Sequence, residues 1–270
     1  MSCHDCEQNV NVHGCCEVEG GSMAKKIVAG NWKMNGASDD IQSFADYSQS
    51  MNLVEQLDAV ICPPFPLLGQ ARSSFHENLL IGAQDCHHDV AGAYTGDVSA
   101  QLLQQMCCSY VVVGHSERRQ YHGETNQIVE QKALAAQKFG ITPIICVGEN
   151  FGQREAGEWQ TTLQEQLRML GEGRVDFANL VVAYEPVWAI GSGARAENSD
   201  IIETHAFIRE ELAQMTDHAG VIPLLYGGSV KPDNVAELSR LTNVDGALVG
   251  GASLKVGDFS QLVEAFGATL

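Results

Sequence analysis

The sequence predicts a single-domain α/β protein folded as a (β/α)8 barrel. Three observations predict it: eight short apolar runs recur at roughly 30-residue spacing, stretches of helical period separate them, and no dinucleotide-type glycine motif follows the first run. The runs are Ile27 to Gly30, Ala59 to Cys62, Leu79 to Ala83, Tyr110 to Val113, Pro143 to Val147, Leu180 to Ala183, Ile222 to Tyr226 and Gly246 to Val249. They are apolar throughout rather than alternating, as strands covered on both faces should be. Between them, Leu163, Leu167 and Leu170 share one helical face, as do Ile201, His205, Ile208, Leu212 and Met215 at steps of four, three, four and three. Ser38 or Asp39 is placed to cap the helix of the first unit and Asp200 or Ser199 that of the sixth, while Gly140 ends that of the fourth. Repeated βα units imply parallel strands with right-handed crossovers, which leaves a closed barrel or a doubly wound open sheet. Gly30-Asn31-Trp32-Lys33 stands where G-x-G-x-x-G would open a dinucleotide fold, and the eight units are of near-equal length. Both favour the barrel.

The chain has 270 residues, 34 acidic against 16 basic side chains, and a formal charge of −18. No basic patch dominates such a surface, which argues against nucleic acid or an anionic membrane as a main partner. A small anionic substrate would need a locally positive pocket. The longest uncharged stretch, Val98 to Gly114, carries three glutamines and is short for a membrane span. Neither a cationic leader nor an apolar core of a signal peptide is recognisable, so a cytoplasmic protein is expected. Residues 1–22 differ from the rest: they hold almost no large apolar side chains, carry Asp5, Glu7, Glu17 and Glu19 without a basic residue, and end in Gly20-Gly21-Ser22. They read as a flexible Cys-rich extension or tag, leaving 23–270 as the barrel domain. Four of the nine cysteines, Cys3, Cys6, Cys15 and Cys16, lie in this arm. With His4 and His13 they offer soft ligands at spacings a zinc ion could use, but a passive extension is the favoured reading. The other five, Cys62, Cys86, Cys107, Cys108 and Cys146, lie in apolar surroundings and fit a reducing compartment.

In a barrel of this kind the active site forms at the C-terminal ends of the strands. Polar and titratable groups stand where five of the apolar runs stop: Asn31-Trp32-Lys33, Gly114-His115-Ser116-Glu117-Arg118-Arg119, Tyr184-Glu185-Pro186, Tyr226-Gly227-Gly228-Ser229 and Gly250-Gly251. Extended by Met34-Asn35-Gly36, by Val187-Trp188-Ala189-Ile190-Gly191 and by Val230, and joined by Ala247-Leu248-Val249 and Ala252, these motifs resemble triosephosphate isomerase from Lys26 to the C-terminus. Lys231-Pro232-Asp233-Asn234 resembles a bacterial member. The resemblance implies a TIM barrel acting as a homodimer on a triose phosphate in glycolysis and gluconeogenesis. No cofactor is implied, and no metal in the barrel.

Interconverting a ketose and an aldose phosphate needs a base for a carbon-bound proton, an electrophile for the carbonyl and a positive group near the enediolate. The resemblance assigns Glu185 as base, His115 as a neutral imidazole at a helix N-terminus, Lys33 as the positive charge and Asn31 as a hydrogen-bond donor to substrate oxygens. Asn31 and Lys33, two residues apart on an extended chain, are expected to face one way. Glu117 either positions Lys33 or pairs with Arg118 or Arg119. Gly227-Gly228-Ser229 and Gly250-Gly251 offer backbone N–H groups to the phosphate, which reconciles an anionic ligand with an acidic protein. Residues 186–196 resemble the family's lid: Pro186, Val187, Trp188, Ala189 and Ile190 lead to Gly191, Ser192 and Gly193, with the Gly191 N–H on the phosphate. Ser192 stands where Thr is usual and Ala194 where Lys is common, followed by Arg195, so hinge stability and closing rate are open. Asp85 to Asp97 resembles the interdigitating dimer loop, with Thr95 reaching the partner's pocket and Asp97 replacing the usual Glu. Cys146 matches a family position and reads as a small core residue. Rival readings are a catalytically silent sugar-phosphate-binding barrel carrying a metal- or thiol-reactive arm, or an isomerase of another sugar phosphate. The joint presence of Asn31, Lys33, His115 and Glu185 disfavours the first, and the match at all five places disfavours the second.

Overall fold

The structure is a computed structural model that describes residues 24–172, 174–189 and 196–270. The N-terminal cysteines and histidines, and the lid residues Ile190, Gly191, Ser192, Gly193, Ala194 and Arg195, lie outside the described residues. Eight parallel strands pair in chain order and close: β1 (Lys26–Asn31), β2 (Leu57–Cys62), β3 (Leu80–Ala83), β4 (Cys108–Val113), β5 (Thr142–Val147), β6 (Val181–Tyr184), β7 (Leu224–Tyr226) and β8 (Gly246–Val249). β8 returns to β1 with Ile27 opposite Gly246 and Gly30 opposite Val249. The closed barrel thus replaces the open-sheet alternative.

The helices are α1 (Ser38–Ser50), α2 (Leu68–Ser74), α3 (Ala100–Gln105), α4 (Ser116–His122), α5 (Asn126–Lys138), α6 (Phe151–Glu155), α7 (Trp159–Arg168), α8 (Asn198–Ala213), α9 (Val235–Leu238) and α10 (Val256–Gly267). Among the described residues none is long and apolar enough to cross a membrane. The strands are apolar throughout because alternate residues serve two cores. Ile27, Ala29, Val60, Cys62, Val112, Ile144, Cys146, Ala183, Leu225 and Leu248 fill the barrel interior. Their neighbours Val28, Ile61, Val111, Val113, Ile145, Val182 and Val249 pack outward under the helices. Leu163 and Leu167 of α7, and Ile201, His205, Ile208 and Leu212 of α8, are buried as their spacing requires.

Element ends differ from expectation. Neither Ser38 nor Asp39 caps α1; the Asp40 carboxylate accepts the Ala37 N–H at 2.8 Å instead. Ser199 and Asp200 already lie inside α8, and the Asp200 carboxylate is engaged by Arg154 at 2.9 Å, so it is not available as a cap. Gly140 does follow α5, at φ +70°. β7 starts at Leu224 rather than Ile222.

Candidate active site

The end of β1 is fixed by Trp32. Its buried ring packs edge-on against Phe44 with centroids 5.4 Å apart, and its indole N–H donates to the Ser253 carbonyl at 2.9 Å. The chain then turns rather than continuing: Asn31 Oδ1 accepts the Lys33 N–H at 3.0 Å, and Lys33 adopts a left-handed backbone at φ +54°. The expectation of an extended Asn31–Lys33 pair is corrected by this local hydrogen bond. Both residues still line the same cavity. Lys33 Nζ meets Glu117 Oε1 at 2.6 Å, whereas Arg118 and Arg119 have other partners, so Glu117 faces Lys33.

His115 follows β4 and caps α4. Its Nδ1 accepts the Glu117 N–H at 3.2 Å, which requires an unprotonated Nδ1 and leaves the proton on Nε2. That proton faces Glu185 Oε1 at 3.0 Å. Glu185, the first residue after β6, is 2% exposed. The Ser116 N–H donates to Glu185 Oε2 at 2.8 Å, and the Ser116 hydroxyl lies 3.3 Å from Oε1. Its backbone is tied into the barrel: the Glu185 N–H donates to the Val147 carbonyl at 2.7 Å, and the Gly227 N–H to the Tyr184 carbonyl at 2.7 Å. Two neighbours must be glycine. A Cβ at Gly148 would sit 1.8 Å from the Glu185 carbonyl oxygen, and one at Gly227 would sit 2.9 Å from Glu185 Cγ.

The charges are set by this contact. Burial disfavours the imidazolium, but the Glu185 carboxylate, its hydrogen bond and Glu117 together raise His115 above the ordinary histidine value. Burial likewise pushes Glu185 up, yet His115, the Ser116 N–H and Lys33 together hold it below the usual carboxylate range. The Glu117 N–H on Nδ1 opposes protonation of the ring. An ionised base and a proton-bearing imidazole therefore sit in contact at the cavity floor.

The cavity is about 740 Å³, lined by Asn31, Lys33, His115 and Glu185 on one side and by Gly227-Gly228-Ser229 and Gly250-Gly251 on the other. Gly228 faces Tyr226, whose hydroxyl lies 2.2 Å from where a Cβ would stand, so this wall is backbone. Of the described lid residues Ala189 lines the cavity, and Pro186, Val187 and Trp188 do not. Residues 187–189 form a short 3-10 turn anchored from below: the Val187 N–H donates to the Glu149 carbonyl at 3.1 Å and the Trp188 indole N–H to Glu149 Oε1 at 2.9 Å. Thr95 is exposed near the tip of the loop between β3 and α3, away from the cavity. Cys146 is fully buried in the barrel interior, and burial followed by the nearby Glu185 pushes its thiol well up, as an inert core residue requires.

Two parts of this region were not singled out in the sequence. Glu149, just after β5, is fully buried and receives the Tyr184 hydroxyl at 3.0 Å as well as Trp188. Its position at a strand end was the available signal. A second charge cluster joins Asp85, Arg118, Glu124 and Lys132: Lys132 Nζ reaches Asp85 at 2.6 Å and Glu124 at 2.5 Å, and Arg118 reaches Asp85 at 2.9 Å and Glu124 at 2.5 Å. Little in the local sequence announces it: Arg118, Glu124 and Lys132 are spaced by six and eight residues, which is no single helical repeat, and Asp85 comes from the loop after β3.

A closed parallel barrel with an acid–base pair at its C-terminal mouth defines an α/β-barrel enzyme of the proton-transferring kind. Residues 26–266 match the family model described as triosephosphate isomerase. Among curated relatives, the triosephosphate isomerase of Cupriavidus taiwanensis is 46% identical over 247 residues, covering 90% of this chain and 100% of its own. That of Herpetosiphon aurantiacus is 44% identical over 247 residues (89% and 99%), and that of Ruegeria sp. 45% over 248 residues (92% and 100%). The chain belongs to the triosephosphate isomerase family and is an isomerase.

Proposed function

We propose that the protein interconverts dihydroxyacetone phosphate and D-glyceraldehyde 3-phosphate through an enediolate. The observation that carries the reading is Glu185 Oε1 held 3.0 Å from the proton-bearing Nε2 of His115, beside Lys33, on the floor of a glycine-walled cavity. Glu185 takes a proton from C1 of the ketose; the C–H electron pair becomes the C1–C2 double bond and the carbonyl pair moves onto O2. His115 Nε2–H gives O2 its proton and the ring recovers one from O1. Glu185 then returns its proton to C2. The ammonium of Lys33 and the amide of Asn31 offset the negative charge that develops on the oxygens. Glu117 orients Lys33. C1 is oxidised and C2 reduced within the one substrate, so the step balances without an external oxidant or reductant.

The resting contact fits this cycle. While Glu185 faces His115 it raises the imidazole pKa; when the carboxylate turns to the substrate carbon that influence leaves. Burial and Lys33 remain and favour the neutral ring, opposed by Glu117 alone. The phosphate is proposed to lie on the backbone N–H groups of Ser229, Gly250 and Gly251, with Gly191 joining when residues 186–196 close as a lid. Closure would exclude water and keep the enediolate from losing phosphate.

The same reading makes the protein a cytoplasmic homodimer of glycolysis and gluconeogenesis, without cofactor, membrane or nucleic-acid partner. Thr95 on the β3–α3 loop would reach the partner's pocket. Residues 1–22 act as an appendage to a barrel domain spanning 23–270, and their deletion should leave turnover and dimer intact. A coupled isomerase assay tests the activity: saturable turnover is expected on either triose phosphate, falling sharply in Glu185→Asp. Background turnover in the unaltered protein would overturn the proposal.

A further inference from the structure

The residues that open α4 make the key contacts at the barrel mouth: His115 and Ser116 meet Glu185, and Glu117 meets Lys33. A helix of seven residues is too short to keep that position by itself. One turn into it stands Arg119, which does not line the cavity. Its partly buried guanidinium spreads over three acceptors. Nε donates to the Gly114 carbonyl at 2.8 Å, one terminal nitrogen to the Cys146 carbonyl at 3.1 Å, and the other to Asn126 Oδ1 at 2.7 Å. Asn126 is held in turn, its amide donating to the Glu165 carbonyl at 3.2 Å.

Both backbone acceptors lead to a reacting group. The Gly114 carbonyl belongs to the peptide unit whose nitrogen is that of His115. Gly114 is left-handed at φ +67°, and a Cβ there would lie 2.7 Å from Val129, so this turn has no side chain of its own to steady it. The Cys146 carbonyl belongs to the unit that continues into Val147, and the Val147 carbonyl accepts the Glu185 N–H at 2.7 Å. One guanidinium therefore spans from the backbone of the imidazole to within a residue of the carbonyl that anchors the base. We infer that Arg119 is a positioning residue of the isomerisation, setting from behind the cavity the distance between His115 Nε2 and Glu185. The inference rests on the proposed function and adds to it a group that never touches substrate. A planar fork meets three fixed acceptors at once, which an ammonium on a flexible stem does not. Burial works against the charge of Arg119, while Cys146, Glu185 and Glu124 support it.

The test compares full-length Arg119→Met and Arg119→Lys with the unaltered protein, each first shown to be folded by near-ultraviolet circular dichroism and thermal melting. Arg119→Met should lose about 10²-fold in kcat, the cost of misplacing reacting groups by an ångström. Arg119→Lys, which keeps the charge and part of the fork, should lose about tenfold. KM should stay within about threefold in both, since the phosphate contacts are not touched. Inhibition constants give the readout that general loosening would not: phosphoglycolohydroxamate, shaped like the enediolate, should weaken in step with kcat, and inorganic phosphate should not. A kcat within about twofold of the unaltered enzyme in either folded variant would overturn the inference. So would equal weakening of hydroxamate and phosphate. Background turnover in the unaltered protein would overturn the proposed function as well, so the two failures are told apart by the unaltered protein alone.

Discussion

Two clusters of charged side chains meet around α4, and they use the same chemistry to opposite ends. On one side Arg118, Lys132, Asp85 and Glu124 form a closed set in which each carboxylate contacts both cations at 2.5–2.9 Å, and none lines the large cavity. On the other, Glu185 meets His115 at 3.0 Å and Lys33 meets Glu117 at 2.6 Å, but Lys33, His115 and Glu185 all face the cavity. The first set is satisfied from within, save for the buried Glu124 Oε2, and does not border the large cavity. The second is complete only when something enters, and its present contacts stand in for that ligand. A buried ion pair therefore holds structure or performs chemistry according to whether its members share a wall with open space.

The comparison predicts that damage to the two sets reads out differently. Glu185→Gln should cost about 10²–10⁴-fold in kcat, the usual range for a general base, with the melting temperature little changed; a loss under tenfold would remove Glu185 from its proposed role. Lys132→Met should do the reverse, lowering unfolding free energy by about 3–5 kcal/mol because two carboxylates lose a buried partner. Its turnover per folded molecule should stay within a few-fold, as chemical denaturation alongside kinetics would show.

A buried titratable group outside both sets supplies a reference. His205 is fully buried, its Nδ1 2.8 Å from the Asn243 carbonyl, and burial lowers its pKa to about 4. The unfolded chain takes up this proton below its ordinary pKa of about 6.5 and the folded one does not. Stability should therefore fall as pH drops from about 6.5 towards 4, by about 3 kcal/mol in total. His205→Phe should flatten that limb without altering the charge clusters; an unchanged limb in denaturant titrations at several pH values would count against the assignment.

The smallest effects divide the closed set itself. Burial leaves Asp85 above its ordinary carboxyl value despite Lys132 and Arg118. Glu124 resists burial and ends below its own, through Lys132 and then Arg118. A depressed carboxyl contributes stability above its unfolded pKa and loses it as pH falls through the folded one. Glu124→Gln should thus cost about 1.5–3 kcal/mol at neutral pH, and Asp85→Asn less than about 1 kcal/mol. Equal costs would show that the two acids are not held differently.

The barrel was legible because strands buried on both faces leave uninterrupted runs such as Val111-Val112-Val113, and eight units of near-equal length with no dinucleotide-type glycine motif favoured closure over an open doubly wound sheet. His115 and Glu185 were legible as polar residues at strand ends, with the family resemblance supplying their roles. The Lys33 backbone was not, because a single side-chain hydrogen bond from Asn31 decides it. The α1 cap was misplaced by one or two residues, since Ser38, Asp39 and Asp40 are all chemically suited and only the chain's path selects Asp40. The Asp85–Lys132–Glu124–Arg118 set was invisible, being created by folding from charges with no common period.

Gly148 turns the geometry around the base into a rule for sequence variation. With the Glu185 carbonyl oxygen 1.8 Å from where its Cβ would be, every amino-acid replacement at this codon forces β5 and β6 apart under the carboxylate. In a saturation library selected for growth on this isomerase, codon 148 should collapse to its four synonymous forms, as invariant as the base itself. Invariance in such data would then mark two kinds of residue, one that reacts and one whose only contribution is the space it leaves.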